Sequence, residues 1–327
     1  MLYLDRSAMC KCLSMKEAIE ADKLALKAYT EGNCNVPLRT NIDIAKHAGQ
    51  ALYMPAYVGG EQEASGIKIV SVYPENSKRN LPAVPATMIV LDPETGIATA
   101  ILDGTYLTQL RTGAVQGAAT DLLARKDAQI GALIGTGGQA LSQLEAMLAV
   151  RDLCEVRVSS LNYEMASDFV DKVKANFPAV KLVPCGSAKE CVEGADIITT
   201  VTTSREATFE ASWVKPGAHI NGIGAYTPQM CEVPAEIIQK ADCIIFDTME
   251  GVLAEAGDFI APLEKGLVDK SAYTGELGEL VLGKVKGRQS ADDITIFKTV
   301  GSAVLDVFVA AQIVNKAKEL GLGKEIA

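Results

Sequence analysis

A glycine loop between a buried strand and a helix constrains the fold of this chain more than any other feature. The loop, Gly135-Thr136-Gly137-Gly138-Gln139-Ala140, fits the pattern G-x-G-x-x-A and directly follows the apolar run Ile130–Ile134. The first glycine permits a tight turn, the second lets a pyrophosphate approach the backbone, and the small last residue keeps the helix close to the sheet. The loop therefore predicts a dinucleotide-binding unit; the alternative is a tight connection that binds nothing.

Strands and helices alternate through the residues that follow the loop. Short apolar runs predict strands at Ile130–Ile134, Glu155–Ser159, Lys181–Val183, Ile197–Val201, His219–Ile223 and Cys243–Phe246. Helical patterns occur at Gln139–Val150, Tyr163–Asn176 and Ala188–Val192. Successive strand–helix–strand units build a right-handed parallel sheet, so we expect a Rossmann-type, doubly wound α/β domain.

The N-terminal third has a different pattern. An amphipathic helix is predicted at Ser14–Glu31, where Ser14 and Glu17 form a capping box. Apolar runs, the last two joined by a hairpin loop at Asp92–Gly96, predict strands at Ala51–Val58, Ile67–Tyr73, Thr87–Leu91 and Ile97–Leu102. We expect a mostly antiparallel sheet with a flanking helix.

Two further helical patterns complete the domain prediction. The first runs over Leu107–Ala124, and the second, Gly301–Leu320, could pack back on the N-terminal part. A length of 327 residues is typical of two domains. We therefore predict an α+β domain from residues 1–118 and 302–327, and a nucleotide-binding domain from residues 119–301.

Composition excludes several classes of protein. A formal net charge of -10, without a basic patch, disfavours nucleic acid as a partner. Charged residues within the first 30 positions and the lack of a long apolar run disfavour a signal peptide and a membrane span, so we expect a cytoplasmic protein. Cys10 and Cys12 form the sole close cysteine pair, and with two histidines in the chain we expect no metal site.

The choice between NAD and NADP stays open. An NAD-selective site places an acid about 20 residues beyond the glycine loop, whereas an arginine there would favour NADP. The segment Val158–Asn162 contains neither an acid nor an arginine. Ser160 and Asn162 are able to bond either form, or they are ordinary loop residues.

Four cations stand in unusual surroundings. Lys68 interrupts an apolar strand, and Arg111 lies in a helix of small and apolar residues. Arg39 follows Val36–Leu38, and Arg288 lies in Gly287–Ser290. An unpaired charge is costly to bury, so each is expected to have an anionic partner. Taken singly, Lys68 is as well explained as an edge-strand charge and Arg111 as a structural salt bridge. Together, several such cations would form a carboxylate-binding pocket.

Motifs along nearly the whole chain carry a resemblance to a known family. They are Val36–Arg39 (VPLR), Tyr53–Tyr57 (YMPAY), Gly66–Lys68 (GIK), Leu107–Ala114 (LTQLRTGA), Gly135–Ala140 (GTGGQA), Ala195–Thr202 (ADIITTVT), Gly217–Gly224 (GAHINGIG) and Gly287–Ser290 (GRQS). In this order they resemble the ornithine cyclodeaminase and mu-crystallin family. The resemblance implies a homodimer whose N-terminal sheet domains pair across a two-fold axis, each joined to a Rossmann domain.

The resemblance also implies a site. Arg39, Lys68 and Arg111 would hold a substrate carboxylate beside the nicotinamide of an NAD(P)H cofactor. The residues implied in cofactor binding are Thr112, Gly135, Thr136, Gly137, Gly138, Gln139, Ala140, Ser160, Asn162, Thr200, Val201, Thr202, Gly224, Val300 and Gly301. The expected ligand beside the cofactor is a small amino acid or imino acid.

Two positions depart from the cyclodeaminase branch of that family. Ornithine cyclodeaminases have a Glu two residues before the Met-Pro pair, where this chain has Leu52. They also have an Asp two residues after the glycine that closes the strand motif, where this chain has Tyr226. Without these acids, cyclisation of ornithine loses its acid–base groups.

We therefore predict an NAD(P)H-dependent reductase of a small α-imino acid, such as pyrroline- or piperideine-carboxylate. Lys68 is a candidate proton donor, if its surroundings lower its pKa. Tyr226 either contacts the imine nitrogen or lines the pocket. The alternatives are an alanine dehydrogenase, an ornithine cyclodeaminase, and a non-enzymatic ligand-binding protein similar to mu-crystallin.

Overall fold

The computed structural model describes residues 1–79 and 81–326. The chain divides into two compact units. Unit 1 comprises Met1–Arg111 and Ser302–Ala327, and unit 2 comprises Thr112–Gly301.

Unit 1 contains a sheet with helices before and after it in the sequence. The strands of its N-terminal segment are β1 (Leu2–Leu4), β2 (Cys34–Asn35), β3 (Thr40–Ile44), β4 (Gly49–Val58), β5 (Ala64–Val72), β6 (Ala86–Leu91) and β7 (Ala98–Asp103). Its helices are α1 (Arg6–Met9), α2 (Met15–Thr30) and the first part of α3 (Gly104–Leu123). The strands β4 to β7 pair in antiparallel order, while β1 adds to β7 in parallel. The prediction of a mostly antiparallel sheet with a flanking helix is confirmed.

The N-terminus of α2 shows why this helix could be predicted from the sequence. The Ser14 hydroxyl accepts a hydrogen bond from the Glu17 backbone N–H at 3.3 Å, and the Glu17 carboxylate accepts one from the Ser14 N–H at 2.8 Å. Each side chain thus satisfies a backbone donor that the first turn leaves free. The predicted capping box is confirmed.

Unit 2 is a doubly wound α/β unit, as predicted. Its strands are β8 (Ile130–Ile134), β9 (Glu155–Ser159), β10 (Lys181–Pro184), β11 (Ile197–Thr200), β12 (His219–Gly222), β13 (Cys243–Phe246), β14 (Gly275–Glu276) and β15 (Thr295–Lys298). Its helices after α3 are α4 (Ala140–Val150), α5 (Tyr163–Val173), α6 (Ala188–Val192), α7 (Ala235–Lys240), α8 (Met249–Glu255), α9 (Gly257–Glu264) and α10 (Leu277–Val281). All strand pairs are parallel, in the order β10-β9-β8-β11-β12-β15-β13-β14.

The sheet order of unit 2 contains the reversal at which sheets of this class bind their ligands. From β8 the chain builds outward through β9 and β10 on one side, and then returns to β11 on the other. In such sheets the ligand crevice lies beyond the carboxyl ends of the strands at this reversal. Strand β15, between β12 and β13, was not predicted, because it has four residues, closely follows Asp292 and Asp293 and ends in Lys298, so its apolar run is short.

The chain ends in unit 1. Helix α11 (Ala303–Leu320) packs against α2 and against β4, β5 and β6, and β16 (Lys324–Glu325) pairs with β1. The prediction that the last helix packs on the N-terminal part is confirmed. No helix in residues 1–79 and 81–326 is long and apolar enough to span a bilayer.

The pleat of the unit 1 sheet gives its two faces different characters. Successive side chains of a strand point to opposite faces. One face carries the buried row Met54, Lys68, Met88 and Leu102, in register across β4 to β7. The opposite face carries the half-buried row Pro55, Ile67, Ile89 and Ile101, in register across the same strands.

Candidate active site

Lys68 is the buried cation at the centre of unit 1. It lies on β5 between Met54 and Met88 of the neighbouring strands, and 1% of its surface is exposed. Its Nζ lies 2.7 Å from Oδ2 of Asp306 on α11. Burial, followed by the nearby Arg111 charge, lowers the pKa of Lys68 to about 7, although Asp306 acts in the opposite direction. A lysine with this pKa is able to give up and regain a proton near neutral pH.

Arg111 shares the same carboxylate. Its Nε lies 2.8 Å from Oδ1 of Asp306, and 5% of the residue is exposed. Its Nη1 is buried without a hydrogen-bond partner among the described residues. One carboxylate, Asp306, therefore pairs with two cationic side chains, so the cluster has surplus positive charge. It also has a hydrogen-bond donor, Nη1 of Arg111, without a partner within residues 1–79 and 81–326. Such a cluster favours an anionic ligand.

Arg39 adds to this positive charge. It lies half-buried between β2 and β3, and its charge is one of the causes that lower the pKa of Lys68. The three cations predicted to bind a carboxylate thus act on one another within unit 1. Arg288, grouped with them in the sequence, has a different role: its guanidinium donates to the carbonyl oxygens of Leu123, Ala218 and Asp293 inside unit 2.

A second buried acid lies beside the cluster. Asp22, on α2, is fully buried, and neither carboxylate oxygen has a hydrogen-bond partner in the described part of the chain. Burial raises its pKa well above the usual value; the Arg111 charge lowers it and the Asp306 charge raises it further. Burial therefore favours the protonated, uncharged form of Asp22, which does not offset the surplus positive charge on Lys68 and Arg111.

Replacing Asp22 with asparagine is expected to stabilise unit 1 at neutral pH. Because the pKa of Asp22 is raised on folding, the wild-type carboxyl costs stability as pH rises above its unfolded pKa, by at most about 1.4 kcal/mol per pH unit. The asparagine variant lacks this cost, so its free energy of unfolding changes less between pH 4 and pH 7. Urea unfolding across this pH range checks the prediction. A variant less stable than wild type at pH 7 would show that Asp22 is ionised and paired.

Sequence reasoning missed both Asp22 and Asp306. The signal that identified Lys68 was also present for Asp306, which interrupts the apolar run Val304, Leu305, Val307 and Phe308. Asp22 lies on the buried face of α2, on which Ala18, Ala25 and Leu26 are buried. A charge on an apolar helix face is a reason to search for an opposite charge elsewhere in the chain.

The first two glycines of the loop after β8 have different surroundings. Gly135, directly after β8, has a φ of +105°, and a Cβ there would lie 2.7 Å from the carbonyl oxygen of Val201. The backbone itself therefore requires glycine at this position. At Gly137, by contrast, a Cβ would meet no atom within 4 Å. Folding alone gives no reason for glycine at position 137, whereas the approach of a pyrophosphate does.

Residues that follow β9, β13 and β15 lie at the same carboxyl edge of the sheet as the glycine loop, where hydrogen bonds hold them. The Thr136 and Ser160 hydroxyls lie 2.9 Å apart, which joins the loop after β8 to the loop after β9. Asn162 accepts the N–H of Met165 and caps α5. Asp247 accepts the backbone N–H groups of Val300 and Gly301 at 3.2 and 2.9 Å.

Tyr226 and Leu52, the two positions that differ from the ornithine cyclodeaminase pattern, lie in different units. Tyr226 is half-buried and packs against the apolar core of unit 2. Leu52 is 5% exposed and lies on β4, paired with Val70. In the described residues, no group of three or more His, Cys, Asp or Glu side chains is arranged to hold a metal ion.

Comparison with known proteins decides the family. A profile of the ornithine cyclodeaminase/mu-crystallin family matches residues 2–321. The chain belongs to this family. The membership that the sequence motifs predicted is thereby confirmed, together with the two-domain, nucleotide-binding fold class of its members.

Particular members are similar over the full length. The chain is 37% identical over 326 residues to a Delta(1)-pyrroline-2-carboxylate reductase of Bacillus cereus, covering 100% of this chain and 99% of the relative. It is 34% identical over 325 residues to an alanine dehydrogenase of Archaeoglobus fulgidus, covering 99% and 98%. A solved structure of Thermococcus litoralis Delta(1)-pyrroline-2-carboxylate reductase, in complex with NADH and L-proline, superposes with a TM-score of 0.95 at 40% identity, covering 100% of both chains.

Proposed function

We propose that this family member is an NAD(P)H-dependent reductase that converts pyrroline-2-carboxylate, or a close cyclic α-imino acid, to the amino acid. The observation that carries the proposal is the buried pair Lys68 and Arg111, which share a single carboxylate, Asp306. A substrate carboxylate would balance the surplus charge. The reductases from Bacillus cereus and Thermococcus litoralis, each matching the full chain, support this substrate class.

The unit 1 residues have distinct roles in this proposal. Arg111, whose Nη1 is unused, and Arg39 bind the substrate carboxylate, since guanidinium groups match carboxylates in geometry and charge. Lys68, with a pKa of about 7, gives a proton to the imine nitrogen. A bound nicotinamide cofactor supplies the hydride to the imine carbon. Together the proton and the hydride convert the C=N bond to CH–NH.

Unit 2 is proposed to hold the cofactor. The pyrophosphate would be bound by the glycine loop at the start of α4, where backbone N–H groups are free. The ribose would contact Ser160 and Asn162, and neither side chain selects between NADH and NADPH. The other residues proposed to contact the cofactor are Thr112, Thr136, Gly138, Gln139, Ala140, Thr200, Val201, Thr202, Gly224, Val300 and Gly301. Tyr226 is proposed to line the pocket.

A homodimer is proposed through the outward face of the unit 1 sheet. The row Pro55, Ile67, Ile89 and Ile101 is apolar across four strands. An apolar sheet face of this kind is typical of an interface between copies. The family includes a solved alanine dehydrogenase dimer with bound NAD, 34% identical to this chain. The molar mass in solution, from light scattering, tests the proposal.

The function is tested by the absorbance of the reduced nicotinamide. Oxidation of NADH or NADPH with pyrroline-2-carboxylate alone supports the proposal and identifies the preferred cofactor. Oxidation that requires pyruvate and ammonia would instead support an alanine dehydrogenase, the second candidate, which the Archaeoglobus fulgidus relative favours. Formation of proline and ammonia from ornithine, or cofactor binding without turnover, would contradict both.

Replacing Gly137 with alanine is expected to separate cofactor binding from stability. A Cβ at this position meets no protein atom within 4 Å, so the free energy of unfolding should change by less than about 1 kcal/mol. The same methyl group would occupy the space that a pyrophosphate requires, and we expect the dissociation constant for NADH to rise at least about tenfold. Fluorescence titration and urea unfolding measure the two quantities. Unchanged NADH affinity would contradict the assignment of the glycine loop.

A further inference from the structure

A buried ionic cluster lies at the carboxyl edge of the unit 2 sheet. Glu232, Asp258 and Lys298 are all fully buried. The Lys298 Nζ lies 2.9 Å from Oδ2 of Asp258, and Oδ1 of Asp258 accepts the backbone N–H groups of Glu232 and Val233. The desolvation of buried charges can cost as much stability as their pairing returns, so folding stability alone does not explain this arrangement.

The Glu232 carboxylate joins two loops. One oxygen accepts the N–H of Thr202 at 2.5 Å, and the other accepts those of Gly224 and Ala225 at 2.5 and 2.8 Å. Thr202 follows β11, and Gly224 follows β12. The two loops approach so closely that a Cβ on Gly224 would overlap the backbone of Thr202. A carboxylate that accepts three backbone N–H groups fixes both loops in one position.

These loops lie on the β11 side of the point where the strand order reverses, opposite β9 and the loop that we propose contacts the ribose. In a doubly wound sheet the dinucleotide extends across this point, so its second half lies over these loops. We infer that Glu232 is a positioning residue for the nicotinamide half of the cofactor, acting through the backbone of Thr202 and Gly224. The inference rests on the proposed nicotinamide-dependent function.

The test is the variant Glu232→Gln. Glutamine keeps the shape of the side chain, but its NH2 group cannot accept, so it opposes the N–H groups of one of the two loops. We expect the dissociation constant for NADH to rise about tenfold, as for a binding loop that loses a charge-assisted hydrogen bond. Energy transfer from Trp213, the single tryptophan, to the reduced nicotinamide measures binding directly. The KM for the imino acid, set by unit 1, should stay within about twofold of wild type.

Asp196→Asn is the matched control. Asp196 is also a buried carboxylate; it accepts the N–H groups of Gln129 and Ile130 at 2.9 and 3.0 Å and pairs with Lys215 at 2.6 Å. It lies at the opposite, amino edge of the same sheet, before β11. This variant is expected to lower the Tm and leave the NADH dissociation constant unchanged.

The outcomes separate the inference from the proposed function. Wild-type NADH affinity in Glu232→Gln, or loss of affinity in both variants in proportion to their Tm, overturns the positioning role and leaves the function intact. A wild-type protein that binds neither NADH nor NADPH overturns both. If Glu232→Gln does not fold, Glu232→Asp takes its place, because it keeps the charge but is one methylene too short to reach both loops. We expect the same tenfold loss there, and wild-type affinity would again overturn the inference.

Discussion

Replacing Lys68 with methionine is expected to lower kcat/KM for the imino acid at pH 7 by about 1,000-fold. Positioned proton transfer contributes about 100- to 10,000-fold to catalysis, and the variant also lacks a cation beside the substrate carboxylate. Methionine fits between Met54 and Met88 on β5, so the sheet is expected to fold. The rate of NADH or NADPH oxidation measures the loss. The dissociation constant for NADH, set by unit 2, should not change.

The pH profile makes this prediction specific to proton transfer. With a pKa of about 7, Lys68 is protonated below neutral pH and loses its proton above it. Imine reduction needs the protonated form, so kcat is expected to fall as pH rises through about 7 in the wild type. This step should be absent in Lys68→Met. Tyr226→Phe serves as the control and should keep activity within about threefold of wild type. A Lys68→Met variant with more than a tenth of wild-type activity would contradict the role of Lys68.

Much of the fold could be predicted because the signals were local. The capping box at Ser14 and Glu17 and the hairpin loop at Asp92–Gly96 each depend on a few consecutive residues. The strand–glycine–helix sequence around Gly135 likewise determines its own backbone, as its positive φ shows. Strand β15 was missed because it forms between two strands that precede it in sequence, and tertiary pairing rather than its own pattern stabilises it.

Sequence reasoning identified the cations of the candidate site and missed its acids, although Asp306 interrupts an apolar run as Lys68 does. Lys68 and Arg111 stood out because each interrupts apolar surroundings. Their shared partner, Asp306, lies near the other end of the chain, and only the return of α11 to unit 1 brings it to them. The same holds for Glu232, whose contacts with Thr202 and Gly224 depend on how three loops meet. The local pattern of one sequence does not identify which distant segments pair.

Asp306→Asn is expected to cause the largest loss of stability of any single change in unit 1. It leaves Lys68 and Arg111 buried without a counter-charge, and breaking a buried ion pair from one side costs about 3–5 kcal/mol. Urea unfolding at pH 7 measures this loss. The double variant Asp306→Asn with Lys68→Met removes one of the two buried cations that lack a counter-charge. We therefore expect its free energy of unfolding to be higher than that of Asp306→Asn alone.

The pH dependence of Asp306→Asn identifies the cause of its instability. The Asp306 carboxylate raises the pKa of Lys68, so this pKa should fall further when the carboxylate is removed. Lys68 of the variant is then neutral in the folded state at neutral pH and takes up a proton on unfolding. The unfolded lysine is protonated up to about pH 10, and in the wild type folded Lys68 loses its proton only as pH rises through about 7, so between about pH 5 and pH 7 the stability of the variant should rise with pH more steeply than that of the wild type. A loss below about 1 kcal/mol, or a stability that does not depend on pH over this range, would show that the cations are not held by Asp306. The negative charge of Asp306 would then not set the surplus positive charge to which we assign substrate binding.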